Sequence, residues 1–223
     1  MKMYVAVVVL VLVNVVGVVA VGDGKLTDED KKYLVDGHNA ERKTQGASNM
    51  YKMNWDDDLA ETAQKHADKC LWEHTPDGER KWGENMAQIK FPEAKYLDLY
   101  PHSKMIDIAV TKGMTGFLSW IGEEEIDVKH DFSCARSDWT GPTCGHYTQV
   151  VWHSSTKLGC GARNCLDFTQ KKDPEDIQHN VWILVCAYLK PGNMAGEKAF
   201  EKGKACSACN GKDACEDSLC IGT

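Results

Sequence analysis

The residues able to do chemistry here are eight histidines, ten cysteines and a surplus of carboxylates. His146 and His153 bracket the run Tyr147-Thr148-Gln149-Val150-Val151-Trp152, and Cys144 and Cys160 close the stretch at its two ends. His66, Cys70 and His74 follow Leu59 and Ala63 at spacings of three and four, so they trace one stripe of a helix. Two neutral imidazoles with one or two carboxylates can hold Zn²⁺ and leave a position open for water. The same residues can also form a buried hydrogen-bonded cluster with no metal. At this level His146 is a general base, a metal ligand or a satisfied polar residue. Several other chemistries have no residues to carry them. The sequence contains no HExxH helix motif and no GxSxG elbow. An even set of cysteines behind a leader of the kind described below is expected to be fully paired, which leaves no thiol nucleophile.

These side chains must be positioned by an α+β framework. Residues 1–21 read as a signal peptide: Lys2 is followed by an apolar run from Val5 to Val19, and small residues at Ala20 and Gly22 suit cleavage. Residues 22–194 form the main domain, and a cysteine-rich tail covers 195–223. Thr27-Asp28-Glu29-Asp30 is a capping-box start, and a helix from there to about Lys43 sets His38 and Arg42 on one face. A second helix is expected over Asp56 to His74, and a third over Lys104 to about Glu125 despite Gly113 and Gly116. Tyr147–Trp152, Lys157–Ala162 and Asn180–Tyr188 read as strands.

Net charge is −7, from 33 acidic and 26 basic side chains with no Lys/Arg block, so neither nucleic acid nor an anionic membrane is the expected partner. Once the leader is removed, no segment is apolar enough to span a bilayer, and the product is expected to be secreted and extracellular.

Four stretches, in order, resemble the signatures of the CAP superfamily, the cysteine-rich secretory, antigen 5 and pathogenesis-related 1 proteins. They are His38-Asn39-Ala40-Glu41-Arg42, Gly83-Glu84-Asn85-Met86, Gly145-His146-Tyr147-Thr148-Gln149-Val150-Val151-Trp152, and Ile183-Leu184-Val185-Cys186-Ala187-Tyr188. Met86, Ala187 and Lys190 depart from the usual residues without touching an ionisable position. The resemblance implies an α/β/α sandwich with a central, mainly antiparallel sheet, followed by a small disulfide-rich tail. It also implies a cleft holding His74, Glu84, Glu123 and His146, with zinc or another divalent metal as the cofactor. Glu123 is the residue three after Trp120, with Glu124 and Glu125 as neighbours. His66 reads as structural, and His102, His130, His153 and His179 as surface or loop residues.

The resemblance further implies bridges Cys70–Cys165, Cys160–Cys186, Cys206–Cys215 and Cys209–Cys220. Cys134 and Cys144, flanking one loop, form a plausible local pair. Cys206-Ser207-Ala208-Cys209 also has the form of a redox CxxC, and four clustered cysteines suit zinc; the oxidising compartment favours two structural disulfides. The plan is closest to venom-type cysteine-rich proteins that join a CAP domain to a short hinge-like tail and carry no ion-channel regulatory module. The function implied is an effector acting by binding to an extracellular protein or lipid, rather than an enzyme. A metal-dependent endoprotease using His74, His146 and a glutamate is the alternative. A sterol or fatty-acid carrier is another, with Phe91, Tyr96 and Tyr100 as an aromatic loop.

Overall fold

The computed structural model describes residues 25–90, 117, 119–124, 145–194, 196–210 and 214–222. Helix α1 spans Asp28–Thr44 and opens on the expected capping box. The Thr27 hydroxyl accepts from the Asp30 N–H at 3.2 Å, while the Asp30 carboxylate accepts the Thr27 N–H at 2.7 Å. Its buried face carries Leu34, His38, Asn39 and Arg42. Strand β1 (Asn54–Trp55) leads into α2 (Asp57–Ala67), whose N-terminal N–H groups are capped by Asp56.

The expectation of a helix reaching His74 is corrected here. The chain leaves α2 at Asp68, and Cys70 takes a left-handed φ of 51°. Leu71–Trp72 then becomes β2, paired in parallel with Thr169–Gln170. The stripe is therefore real only through Leu59, Ala63 and His66. Cys70 instead leaves that stripe and joins the buried Cys165.

A second correction concerns Tyr147–Trp152. His146–Val150 is a short helix, α3, not a strand. Gly145 at φ 115° starts the turn, and Tyr147, Thr148, Gln149, Val150 and Val151 are all buried. A short run buried on every side carries no periodicity, so aromatic and β-branched content alone pointed to the wrong element.

β3 (Gly83–Lys90), β4 (Lys157–Gln170) and β5 (Asp173–Leu189) complete the main sheet in the order β1-β4-β5-β3. β3/β5 and β4/β5 are antiparallel. The two expected strands in this region are thus the inner halves of one long hairpin that turns at Lys171-Lys172. Period-two alternation along β5 fills two cores. Leu184, Cys186 and Tyr188 pack with Leu34, Trp120, Tyr147 and Val150. Ile183, Val185 and Ala187 pack with Ala63, Ala67, Met86 and Phe168. The first core lies under α1 and α3 and the second under α2, which makes the α/β/α sandwich. At Gly161 the helix backbone lies against the strand: a Cβ there would sit 2.4 Å from the Gln64 Cα.

Disulfides join Cys70–Cys165 and Cys160–Cys186 in the body, and Cys206–Cys215 and Cys209–Cys220 in the tail. The tail hairpin, β6 (Ala214–Glu216) with β7 (Leu219–Ile221), docks through backbone bonds from the Cys220 N–H to the Met50 carbonyl and from the Lys52 N–H to the Cys220 carbonyl. Most of the expected helix over 104–125, the Cys134–Cys144 pair, the Phe91/Tyr96/Tyr100 loop and the leader lie outside the described residues. Within that expected helix, Phe117, Ser119, Trp120 and Ile121 are helical. No helix among the described residues is long and apolar enough to cross a membrane.

Candidate functional site

β3 begins at Gly83, where the strand backbone presses on the Gln149 side chain, and its next residue is Glu84. The Glu84 side chain is 1% exposed and takes three donors. His74 Nδ1 bonds Oε1 at 2.9 Å, the Thr75 N–H bonds Oε1 at 2.9 Å, and the Thr75 hydroxyl bonds Oε2 at 2.9 Å. Burial pushes this carboxyl up. The hydrogen bonds from His74 and Thr75, with the nearby His66, outweigh that and hold it at about 2 instead of 4.5. Behind Thr75 stands His66 of α2, with Nδ1 3.0 Å from the Thr75 hydroxyl oxygen and Nε2 2.7 Å from the Glu73 carbonyl. A carbonyl only accepts, so Nε2 donates.

Glu123 does the matching work at His146. Its Oε1 lies 2.7 Å from His146 Nδ1, and its Oε2 accepts the backbone N–H groups of His146 at 3.0 Å and Tyr147 at 3.3 Å. One carboxylate thereby orients the imidazole and satisfies the first N–H groups of α3. The Trp120 indole stacks on the imidazole at 5.9 Å and 13°, with its own Nε1–H donated to the Met86 carbonyl at 3.2 Å. Glu124, one residue on, is exposed and acts with burial and Glu41 to push the Tyr147 hydroxyl upward.

A buried relay ties α1 to His146. His38 Nδ1 is 2.7 Å from the Leu34 carbonyl, so Nδ1 carries the proton and Nε2 accepts from the Tyr188 hydroxyl at 2.9 Å. The Tyr188 oxygen accepts from Asn85 Nδ2 at 3.2 Å, and the same Asn85 amide donates to the His146 carbonyl at 3.0 Å. Burial lowers the His38 pKa to about 3, and Phe117 stacks on the neutral ring at 4.7 Å. Arg42, 1% exposed, gives all its N–H groups to the carbonyls of Tyr51, Val150, Trp152, His153 and Ser155. That fan fixes the loop after α3, and burial holds the guanidinium at about 9 rather than 12.5.

The four candidate residues therefore stand as two His–Glu pairs. In each, a carboxylate holds Nδ1, and among the described residues neither Nε2 has a hydrogen-bond partner. The side chain of His74 is 52% exposed and that of His146 22%, so both rings reach solvent. This is the arrangement in which an outer carboxylate fixes the tautomer of a metal-binding histidine. Each pair leaves one Nε2 as a donor atom, with its glutamate engaged as an orienting group. Among the described residues, the group of three or more candidate donors whose ligand atoms gather within 4.8 Å is a different one, Cys206, Cys209 and Cys220. Beside His74 opens a cavity of about 330 Å³, floored by Trp72 and Met86 and rimmed by Gln170, Lys171 and Lys172.

His153 is half-buried on the Ala199 carbonyl, and burial lowers its pKa. His179 is exposed and pairs with Asp167, while His102 and His130 lie outside the described residues. From the sequence, Thr75, Asn85 and Tyr188 have no role of their own, while His66, read as structural, supports Thr75. The position of Thr75 directly after His74 was the one local signal available.

A family model described as "CAP: Cysteine-rich secretory protein family" matches residues 35–188. Among curated proteins, peptidase inhibitor 16 of Mus musculus is 35% identical over 197 residues, covering 87% of this chain and 34% of the relative. Peptidase inhibitor R3HDML of Mus musculus is 30% identical over 209 residues, covering 88% of this chain and 73% of the relative. The chain thus spans about a third of the first relative and most of the second. The solved structure of BmVAL-1 superposes with a TM-score of 0.61 at 22% identity, covering 89% of this chain and 96% of that one. That of NaASP2 with Zn²⁺ gives 0.58 at 24%, covering 89% and 98%. Both share the fold.

Proposed function

The chain belongs to the CAP, or cysteine-rich secretory protein, family, and from that premise we propose that it is a secreted effector that acts by binding. Its contact site is a cleft built on His74 and His146, and its cofactor is zinc or a similar divalent metal. The observation that carries this reading is the pair of carboxylate-locked imidazoles, with Nδ1···Oε1 of 2.9 Å and 2.7 Å and neither Nε2 bonded among the described residues. Zinc held by those nitrogens would supply a Lewis-acidic point for a partner's carboxylate or carbonyl. The protein's own part is to keep both rings in one tautomer and to exclude water on the Trp120 side.

Secretion is supported by the leader-like stretch in residues 1–21 and by described cysteines that are all bridged. The mature plan is a CAP domain over 22–194 with the tail over 195–223. Relatives named as peptidase inhibitors make extracellular peptidases the first class of partner to test. The reading is binding rather than hydrolysis because the glutamates are engaged in orienting imidazoles, with Glu84 held ionised and buried, and neither is left as a free general base.

Calorimetric zinc titration of the wild type should show one saturable site, weakened at least tenfold in His74→Ala and in His146→Ala. A panel of extracellular peptidases should contain one that is bound without the effector itself cleaving peptides. Zinc binding unchanged in both variants would overturn the metal assignment. Peptide cleavage abolished by His146→Ala would overturn the binding reading.

A further inference from the structure

The tail holds a sulfur cluster that the cleft does not use. Cys206, Cys209 and Cys220 offer sulfur atoms that all lie within 4.8 Å of one another. The fourth, Cys215, is bonded to Cys206, so the two disulfides lie against each other. In a tetrahedral thiolate site with Zn–S near 2.3 Å, the sulfurs stand about 3.8 Å apart. The Cα separations across the bridges are 5.8 Å and 5.6 Å, so opening each S–S bond toward that spacing needs side-chain rotation only. The pattern Cys206-x2-Cys209 with Cys215-x4-Cys220 has the ligand spacing of structural zinc knuckles.

Two further features make the cluster usable. The backbone around it is anchored without the bridges: Cys220 bonds Met50 and Lys52, the Ala208 N–H bonds the Ser48 carbonyl, and the Asn210 N–H bonds the Tyr51 hydroxyl at 2.8 Å. The sulfurs would therefore stay gathered after reduction. Access is also unequal. Cys215 is exposed and Cys206 half-buried, whereas Cys160 and Cys186 in the body are 3% and 0% exposed; Cys209–Cys220, with Cys220 buried and Cys209 half-buried, is as shielded as Cys70–Cys165. A reductant meets Cys206–Cys215 first.

We propose that the tail is a latent metal site, in which reduction of Cys206–Cys215 and Cys209–Cys220 yields four thiolates that bind one zinc ion tetrahedrally. Two equivalents of a dithiol supply the electrons. Each breaks one S–S bond, leaves as its own disulfide and gives two protein thiols. Zinc then forms four Zn–S bonds as four protons pass to solvent. The oxidised tail holds no metal, so the device reads redox state as metal occupancy.

The test uses the full chain, a limiting water-soluble phosphine as reductant, and Co²⁺ as the spectroscopic probe. Mass mapping after alkylation should find the four tail cysteines open and those of the body closed. Cobalt should then give the intense sulfur-to-metal charge-transfer and tetrahedral d–d bands of a tetrathiolate, at one metal per chain, displaced by zinc. Zinc should slow alkylation of the four thiols at least tenfold. His74→Ala/His146→Ala should leave these bands unchanged, which separates this site from the imidazole cleft. Cys209→Ser should abolish them, and alkylation protection in the wild type covers the case in which that variant folds poorly. The proposal is overturned if the body disulfides open first, if cobalt gives no thiolate charge transfer, or if zinc leaves the alkylation rates unchanged.

Discussion

Replacing Glu84 by Gln removes a charge while keeping shape, and the structure sets the size of the effect. Three donors converge on this carboxylate, its side chain is 1% exposed, and its pKa is held at about 2 against an ordinary 4.5. The folded-state value lies below the unfolded one. The stabilisation is therefore complete above about pH 4.5 and is lost as pH falls through 2. Its size is roughly 2.5 pKa units at 1.36 kcal/mol each, or about 3 kcal/mol. With a urea m-value of about 2 kcal/mol/M, the midpoint of Glu84→Gln at pH 7 should lie about 1.5 M below wild type. Urea unfolding followed by tryptophan fluorescence from pH 7 to pH 2 should show that gap closing steadily below pH 5. Other carboxylates titrate in both proteins and cancel in the difference. A gap that stays constant from pH 7 to pH 2 would mean that charge is not what His74 and Thr75 recognise, and the reasoning would fail.

Tyr188→Phe removes only the hydroxyl between His38 and Asn85, leaving buried polar atoms unpaired; a loss of about 1–3 kcal/mol is expected, with a shifted amide resonance at His146 in ¹⁵N NMR. Arg42→Lys cannot reproduce the fan of bonds to the carbonyls of Tyr51, Val150, Trp152, His153 and Ser155, and should cost about 3 kcal/mol or more in chemical denaturation. Gly161→Ala drives a methyl to 2.4 Å from the Gln64 Cα and should lower thermal stability by about 1–3 kcal/mol through displacement of α2.

Which of these features the sequence made legible depended on whether the signal was local. α1 was readable because its capping box and its His38/Arg42 spacing are both contained within the helix. The β4–β5 hairpin was found only in its apolar inner half, because Asp173, Glu175 and Asp176 continue the strand into solvent where no alternation marks it. α2 was overrun because Cys70 and His74 fall on its period by accident, and the left-handed turn at Cys70 is set by a partner 95 residues away. β1 and β2 are two residues long and exist only through β4. The site followed the same rule. The four His and Glu positions came from resemblance to known signatures, since residue types alone made His74 look like an ordinary satisfied histidine. Thr75 follows His74 directly, and Asn85 and Tyr188 stand inside the resembling stretches, but their bonds to Glu84, His146 and His38 arise only through tertiary contact.

The pairing of Glu84 with Asn85 shows why those two residues must be neighbours. Successive side chains of a strand point to opposite faces. Glu84 lies opposite Ala187, on the face packed against α2, and there meets Thr75, His66 and His74. Asn85 lies opposite Cys186, on the face under α1 and α3, and there bonds Tyr188 and the His146 carbonyl. One strand end thus serves both histidines, the first by its carboxylate and the second by its amide. A one-residue slip of β3 would exchange the two faces. It would bury the carboxylate against His38 and Tyr188 and leave Thr75 facing an amide. The packing of Gly83 against Gln149 helps prevent that slip, because any larger residue at the start of β3 would meet the Gln149 side chain 2.1 Å from its Cβ. The hold on His74 through Glu84 and on the His146 backbone through Asn85 is therefore tied to the register of β3.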